Sequence, residues 1–163
     1  MVSGRHIIVA LDGRVEDWNQ FRGCHADCVM LNGVTLNGAA LMNADLHRAF
    51  LVASSLSQAD LSFANLRGAV LRDADLRNSK LCHASLEGAD LFRANFSGAD
   101  LRDANVTAAF LRRADLRGAN LSTVHGLTVE QLCDAVGDEK TRLPAGMARP
   151  ESWTACCAPR ALE

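Results

Sequence analysis

Apolar side chains recur at every fifth residue from Phe21 to Leu121, in one frame that no insertion interrupts. Leu fills 17 of these 21 positions. A small residue, usually Ala, stands two positions before most of them, and Asp or Asn often directly precedes the Leu. Gly follows the Leu by two at several positions, namely Gly33, Gly38, Gly68, Gly88, Gly98 and Gly118. The pattern predicts a structural unit of five residues.

A period of five fits neither a helix nor a flat strand. On an α-helix, steps of five residues drift by about 140°, which would spread the Leu side chains around every side. On a strand, odd steps alternate between the two faces. The Leu side chains reach a shared interior only if the chain bends once in each repeat, so the sequence predicts an all-β solenoid. Asp and Asn suit its corners because their side chains accept hydrogen bonds from nearby backbone N–H groups, and Gly suits turns that need a positive φ.

Runs such as ALMNADLHRA, ADLSFANLRGA, ADLRDANV and ADLRGANLS match the pattern A(D/N)LXX. In this respect the chain resembles the pentapeptide repeat family from Asn19 to Leu121. The resemblance implies a right-handed quadrilateral β-helix with four repeats per coil, and therefore about five coils and a length of about 25 Å. The pattern is weakest at the start, where Ala26 replaces Leu and Cys24, Val29 and Val34 replace Ala, so a distorted first coil is predicted.

The sequence divides into a lead segment at 1–18, the β-helix at 19–123, a C-terminal cap with an extended tail at 124–155, and a frayed end at 156–163. Within the lead, Ile7–Leu11 predicts a short strand laid over the first coil. Open solenoid ends need covers, because unpaired edges invite end-to-end association.

A short helix at Val129–Val136 is the predicted C-terminal cover. Thr128 and Gln131 have the spacing of a capping box, and Gly137 fits a C-terminal stop. Leu127 and Leu132 have the spacing of a hydrophobic staple. The predicted apolar face, which would cover the last Leu layer, consists of Val129, Leu132, Cys133 and Val136. Trp153 is expected to fix the tail to the body.

Composition and charge narrow the class of protein. The 163 residues carry a net charge of −2, and between Gln20 and Thr123 there are 11 basic and 10 acidic side chains, which disfavours direct nucleic-acid binding. The sequence shows no signal peptide and no apolar run long enough for a membrane span. Six cysteines without a secretion signal favour reduced thiols and a bacterial cytoplasm.

Catalytic and metal chemistry find little support in the sequence. The aspartates recur as one column of the repeat rather than as tuned acid–base pairs, and a Leu-filled solenoid has no lumen for a small-molecule substrate. Cys24, His25 and Cys28 could suggest a metal site with Cys82 and His83, but the repeat frame makes these side chains diverge, whereas structural zinc needs four convergent ligands. We therefore predict no enzyme activity, no cofactor and no metal.

An apolar stripe is the most informative surface feature. If a coil holds four repeats, the outward positions before Leu align Met30, Phe50, Val70 and Phe110 on one face, which only Asp90 interrupts. The same face is predicted to carry Val52, Phe92, Arg72, Arg93, Arg112 and Arg113. A coil of three repeats would disperse the stripe. Exposed apolar strips usually mark contacts, and Phe with Arg is typical of interface cores.

Two functions from different classes remain open. The first is a rigid scaffold that binds a protein partner or another copy of itself, as in a homodimer, unless the chain's own tail covers the stripe. The second comes from the resemblance, because some pentapeptide repeat proteins protect type II topoisomerases such as gyrase by imitating DNA with an acidic rod. The near-balanced charge of this solenoid weakens the second hypothesis.

Overall fold

The structure is a computed structural model that describes Asn19 and residues 29–154. Its main feature is a stack of isolated parallel β-bridges that join residues 20 apart, from Met30 with Phe50 to Asn105 with His125. A bridge occurs at every fifth residue, so each coil has four sides. The register that the resemblance implied is therefore observed, while the right-handed sense and the count of about five coils remain predictions.

Four columns of bridged residues run along the solenoid, and each is named here after its first member. They are the Met30 column (Met30, Phe50, Val70, Asp90, Phe110), the Thr35 column (Thr35, Ser55, Asp75, Asn95, Asp115, Val136), the Ala40 column (Ala40, Asp60, Lys80, Asp100, Asn120, Arg142) and the Asp45 column (Asp45, Asn65, Ser85, Asn105, His125). Backbone hydrogen bonds hold neighbouring coils together, such as Leu51 N to Val70 O at 2.7 Å.

The turns between sides follow directly from the repeat. Each Leu opens a turn in which the amide three residues later donates to the Leu carbonyl, as Ala44 N does to Leu41 O at 3.0 Å. The third turn residue has φ between 53° and 70° in every turn from Gly33 to Gly118, which is the type II arrangement. All six glycines predicted to need positive φ occupy this position, but so do twelve residues with side chains. The packed core on both sides outweighs the cost of about 1–2 kcal/mol that this conformation imposes on such a residue.

Two reciprocal substitutions test this account of the turns. Gly88 has φ +64°, and a Cβ added there would meet nothing within 4 Å, so Gly88→Ala should lower the free energy of unfolding by about 1 kcal/mol through backbone strain alone. Ala108 has φ 56°, so Ala108→Gly should leave the free energy of unfolding unchanged or raise it by up to about 0.5 kcal/mol. The relief of backbone strain in the folded state exceeds the entropy that Gly adds to the unfolded chain. Chemical denaturation of both variants measures the difference, and equal destabilisation by the two changes would contradict it.

The core consists of the five-residue frame and the small residues beside it. From Leu41 to Leu121 every residue of the frame is at most 4% exposed. Ser54 and Ser79 take the place of Ala and are buried, and each hydroxyl donates to the carbonyl of the preceding Leu at 2.7 Å. These bonds remove the penalty of an unsatisfied polar group in the core.

The Asp and Asn side chains accept backbone hydrogen bonds, as predicted, but they do not stand at the corners. They lie in the bridged columns just before each Leu, and they reach forward to the amide two residues on. Asp75 Oδ1 accepts from Arg77 N at 3.1 Å, and Asn95 Oδ1 accepts from Ser97 N at 2.9 Å. Their position in the extended segment lets the side chain, rather than the backbone, cap the turn that follows.

At the N-terminal end, the Asn19 side chain forms hydrogen bonds with the coil that contains Asn43 and Asp45. Asp45 N donates to Asn19 Oδ1 at 2.7 Å, where the repeat frame predicts a backbone carbonyl, and Asn19 Nδ2 donates to Asn43 O at 2.8 Å. From Val29 onward the coil is regular, and the only trace of the predicted distortion in residues 29–154 is the turn bond from Val34 N to Leu31 O, at 3.4 Å. The predicted lead at 1–18, the strand at 7–11, and Cys24, Ala26 and Cys28 lie outside the described residues.

The C-terminal segment contains two short helices, α1 at Val129–Asp134 and α2 at Glu151–Thr154. The predicted capping box of Thr128 and Gln131 is present. The predicted extent and apolar face of α1 were wrong. The helix ends at Asp134, and only Leu132 of the four predicted residues is buried, while Val129 and Val136 are 53% and 47% exposed and Cys133 is exposed. A helix of six residues makes fewer than two turns, so a single side chain points at the core.

Gln131 covers the edge that α1 leaves unpaired. Its Nε2 donates to Val106 O at 3.1 Å and to Ala109 O at 2.8 Å, while its Oε1 accepts from Thr128 N. After the helix the chain rejoins the columns, where Val136 bridges Asp115 and Arg142 bridges Asn120. Both ends of the described solenoid therefore use a carboxamide side chain to satisfy backbone groups of the neighbouring coil.

Trp153 packs the end of the tail against the segment after α1. The side chain is 5% exposed, and Nε1 donates to Ala135 O at 2.9 Å. Gly137 was predicted to end the helix, but its role is different, because a Cβ there would overlap the Trp153 ring and its φ is not positive. The predicted boundaries at 18, 123 and 155 remain predictions, and residues 156–163 lie outside the described part.

Candidate interaction face

The structure brings the predicted apolar stripe together. Met30, Phe50, Val70, Asp90 and Phe110 are successive members of one bridged column, so their side chains stack on one side of the solenoid. The four-sided coil alone produces this alignment. Val52 and Phe92 stand two residues after column members and flank the column on the same side.

The stripe is accessible at both ends of its length. Met30 is 51% exposed and Phe110 is 66% exposed, while Phe50, Val70, Val52 and Phe92 are partly buried. The described tail packs instead beside the Thr35 column, where Val136 bridges Asp115 and Trp153 bonds to Ala135. Residues 29–154 therefore leave the stripe open at Phe110.

Asp90, which interrupts the stripe in sequence, is neutralised in the structure. Its Oδ2 accepts from Arg72 Nε at 2.6 Å, and its Oδ1 accepts from Phe92 N at 3.2 Å. The repeat pattern did not predict this ion pair, which links Arg72, directly after one Leu, to Asp90, directly before the Leu of the next coil. A basic and an acidic residue 18 positions apart, close to the 20 residues of one coil, could have indicated this pair.

A shallow groove of about 430 Å³ lies on this face. It is lined by Arg72, Asp90, Phe92, Phe110 and Arg112. Four of the predicted face residues thus line one concave surface. Asp90, which was predicted only to interrupt the stripe, lines it as well. Met30, Phe50, Val52 and Val70 do not line the groove and continue the apolar surface beyond it.

The predicted arginines of the face differ in their partners. Arg93 and Arg113 occupy the positive-φ turn position, at the corner that ends this side. Arg93 Nε lies 3.0 Å from Asp73 Oδ1, so its charge is compensated. Arg112 and Arg113 are exposed and form no ion pair with any residue in the described ranges.

Elsewhere on the solenoid the acidic side chains are paired. Each of the nine carboxylates from Asp45 to Asp115 has a basic nitrogen within 3.9 Å. Arg77 and Arg102 donate to Asp75 and Asp100 and thereby hold the pKa values of both carboxyls below their usual value, despite partial burial. In seven of these pairs the nitrogen belongs to Arg or Lys, and in the other two to His47 and His83, so most of the acidic side chains do not add to an uncompensated acidic rod.

Cys82 and His83, considered above as metal ligands, are engaged separately. Burial, followed by the neighbouring Asp100, raises the pKa of the Cys82 thiol. The His83 ring stacks on Phe63 with centroids 4.7 Å apart, and His83 Nε2 lies 3.9 Å from Asp103 Oδ2. Across the described ranges no group of three or more His, Cys, Asp or Glu side chains is arranged to hold a metal ion, and no helix is long and apolar enough to cross a membrane.

Comparison with known proteins assigns the fold. The sequence model of pentapeptide repeats matches the chain in eight copies, over residues 20–62, 59–98, 69–107 and 94–123. These matches span more than half of the chain. No match is found among curated proteins.

Several solved structures are similar. A pentapeptide repeat protein, Alr5209 from Nostoc PCC 7120, is 30% identical over 82% of this chain and 88% of its own, with a TM-score of 0.43. Rfr23 from the cyanobacterium Cyanothece 51142 is 29% identical over 77% and 97%, with a TM-score of 0.43. QnrB1, a plasmid-mediated fluoroquinolone resistance protein, is 18% identical over 68% of each chain, with a TM-score of 0.40.

Members of this family are right-handed β-helices and are generally structural or interaction proteins. The match of the repeat model over residues 20–123 agrees with the four-sided register of the bridges. The chain belongs to the pentapeptide repeat family.

Proposed function

We propose that the protein is a non-enzymatic scaffold that presents the apolar stripe to a protein partner. The observation that carries the proposal is the alignment of Met30, Phe50, Val70 and Phe110 in one bridged column, with Phe110 66% exposed. An apolar strip of this kind costs free energy in water and gains it when a partner covers it. We also propose that the β-helix is right-handed and has about five coils, and that the C-terminal segment covers its last coil.

The rigid backbone supports this role. Every stripe residue belongs to a coil whose neighbours are bonded to it through the backbone, and the turns on either side are closed by hydrogen bonds of about 3 Å. A surface that is already ordered loses little conformational entropy when a partner binds. The stripe therefore suits recognition better than a loop of the same composition would.

The stripe is smaller than a complete protein–protein interface. Four steps of about 4.8 Å along the column and about 7 Å across it give a patch on the order of 130 Å². A stable interface buries about 800 Å² on each partner. The stripe can thus anchor a narrow element of a partner, and contacts outside the stripe would complete the interface.

The test compares two double variants of the full chain. Phe50→Ser with Phe110→Ser removes the stripe aromatics, and Met42→Ser with Phe63→Ser removes two exposed apolar residues, 46% and 54% exposed, from another side. Both variants and the wild type are tagged, expressed in the native cell and recovered with their bound proteins. We expect at least about a tenfold loss of a specific co-purifying protein with the stripe variant only, since two truncated interface anchors cost well over about 1.4 kcal/mol.

Other outcomes separate the alternatives. Equal recovery of bound proteins by both variants would remove the scaffold function. A large drop in Tm for the stripe variant, absent from its control, would mean that the stripe packs against the chain's own termini. A change of oligomer size in light scattering, confined to the stripe variant, would indicate a homodimer. The paired carboxylates predict no effect in a gyrase supercoiling assay, and protection of gyrase would instead favour the topoisomerase hypothesis.

A further inference from the structure

The groove beside Phe110 combines apolar walls with a positive charge that nothing in the described structure compensates. Phe92 and Phe110 supply the apolar walls. Arg72 and Asp90 neutralise each other across 2.6 Å. Arg112 completes the lining, and it makes no ion pair or side-chain hydrogen bond with residues 29–154.

Among the described residues, Asp90 is the one carboxylate that lines the groove, and both of its oxygens already accept hydrogen bonds. One of its oxygens accepts from Arg72 Nε and the other from Phe92 N. The adjacent Arg113 adds a second cation, uncompensated within the described ranges, at the corner. Of the ten basic residues between 29 and 123 (His aside), seven are paired with carboxylates, and Arg112 and Arg113 are two of the three that form no ion pair with the described residues.

We propose that this groove binds an acidic, apolar segment of the partner protein. An Asp or Glu carboxylate of that segment pairs with Arg112, and an adjacent aliphatic or aromatic side chain packs against Phe92 and Phe110. The inference rests on the proposed scaffold function and goes beyond it by naming the chemistry of the partner.

The geometry suits this pairing for physical reasons. A guanidinium binds a carboxylate through two parallel N–H donors, which fixes orientation as well as charge. The aromatic side chains beside it exclude water once a partner is seated, and a charge-assisted hydrogen bond strengthens when water is excluded. Phe110 and Asp90 belong to adjacent coils and form a β-bridge, so the apolar wall and the neutralised floor of the groove keep a fixed separation.

Nucleic acid fits this surface less well. A duplex or a single strand presents a row of phosphates and is held by several cations along the backbone. On this face Arg72 and Arg93 are paired with Asp90 and Asp73, which leaves two adjacent cations at one end of the stripe. An apolar wall beside two adjacent cations at one end matches a carboxylate next to an apolar side chain better than it matches a row of phosphates.

The test uses the full chain and a random library of short peptides displayed on phage. The immobilised wild type selects peptides after counter-selection on the Phe110→Ser, Arg112→Gln double variant. Selected peptides are then synthesised with a fluorescent label, and their affinities are measured by anisotropy. Each is compared with a matched peptide in which Gln and Asn replace Glu and Asp.

Matched variants report the contribution of the groove. Arg48→Gln is the charge control, because Arg48 is exposed and also lacks an ion pair within the described residues. Phe63→Ser is the aromatic control on another side. We expect enrichment of Asp or Glu beside apolar residues, about a tenfold weaker binding for Arg112→Gln and for the amide peptides, and unchanged binding for both controls. Binding should also weaken as salt is raised, because the pair is partly exposed.

Several results would overturn the inference. Enrichment of neutral or basic peptides, failure to enrich any peptide, or equal binding by wild type and Arg112→Gln would each do so. Stronger binding of labelled duplex DNA or of vesicles containing phosphatidylserine than of the acidic peptides would assign the surface to another partner class. Peptides that depend on Phe110 but not on Arg112 or on their own carboxylates would leave the scaffold function standing and remove only this inference.

Discussion

Leu76→Ala is expected to lower the free energy of unfolding by about 2–5 kcal/mol. Leu76 is fully buried, and Leu56 and Phe96, which occupy the same position in the coils before and after it, are fully buried too. Backbone hydrogen bonds hold the coils at a fixed spacing, such as Leu56 N to Asp75 O at 2.7 Å. The neighbouring layers therefore cannot collapse into the space left by the removed methyl groups, and the variant retains a cavity.

Leu76→Met is the matched control, because it conserves volume and should cost less than about 1.5 kcal/mol. Guanidinium denaturation, followed by circular dichroism and by intrinsic fluorescence, measures both variants. In a linear array a defect in a central coil weakens its interfaces with both neighbours, so the transition of Leu76→Ala should also broaden. Equal stability of the two variants would contradict the layered core.

Trp153→Ala is expected to release the C-terminal segment and to promote self-association of the protein. Loss of a buried Trp side chain costs about 3–5 kcal/mol, and this cost falls on the segment that it holds. That segment donates and accepts the hydrogen bonds that cover the last coil, including Leu116 N to Val136 O and Leu121 N to Arg142 O, both at 2.7 Å. Without them the edge of the solenoid presents unpaired backbone groups to other copies.

Two further variants separate the contributions of Trp153. Trp153→Phe keeps a ring but loses the hydrogen bond to Ala135 O, which should cost about 1 kcal/mol. Gly137→Ala leaves Trp153 in place but introduces a Cβ that overlaps its ring, so it should resemble Trp153→Ala. Hydrogen exchange should accelerate between 127 and 154 in Trp153→Ala and Gly137→Ala, with central coils unchanged, and light scattering should show larger species. A monomer with unaltered exchange in both would contradict the covering role.

Local patterns in the sequence predicted those features that depend on near neighbours. The buried five-residue frame, the positive φ at the glycines and the capping box at Thr128 and Gln131 were all predicted correctly. Each depends on side chains within about one repeat of one another, and Leu, Gly and Thr have strong preferences at these positions. The alignment of Met30 with Phe50 and Phe110 needed only one more quantity, the number of repeats in a coil.

The length of α1 and the hydrogen bonds of Gln131 depend on contacts with residues far away in the sequence. The helical pattern at 129–136 is compatible with a longer helix, but Arg113 N bonds to Asp134 O and Leu116 N to Val136 O, which draws the chain back into the columns. The bridges of this segment join residues 21 and 22 apart instead of 20, in the pairs Asp115–Val136 and Asn120–Arg142. Hydrogen bonds to the preceding coil, rather than a low intrinsic helix propensity, therefore end the helix at Asp134.

The strict period was enough to specify the solenoid and its Leu and Ala core, because it repeats the same local geometry at every step. Four repeats in each coil then placed the apolar stripe on one side. Which charges are neutralised, and how the ends are closed, emerged with the folded structure alone. Arg72 meets Asp90 in the next coil, Gln131 reaches back to Ala109, and Asn19 reaches forward to Asp45. Contacts between coils depend on the exact stacking of distant segments, and the period of the sequence leaves the choice of those partners open.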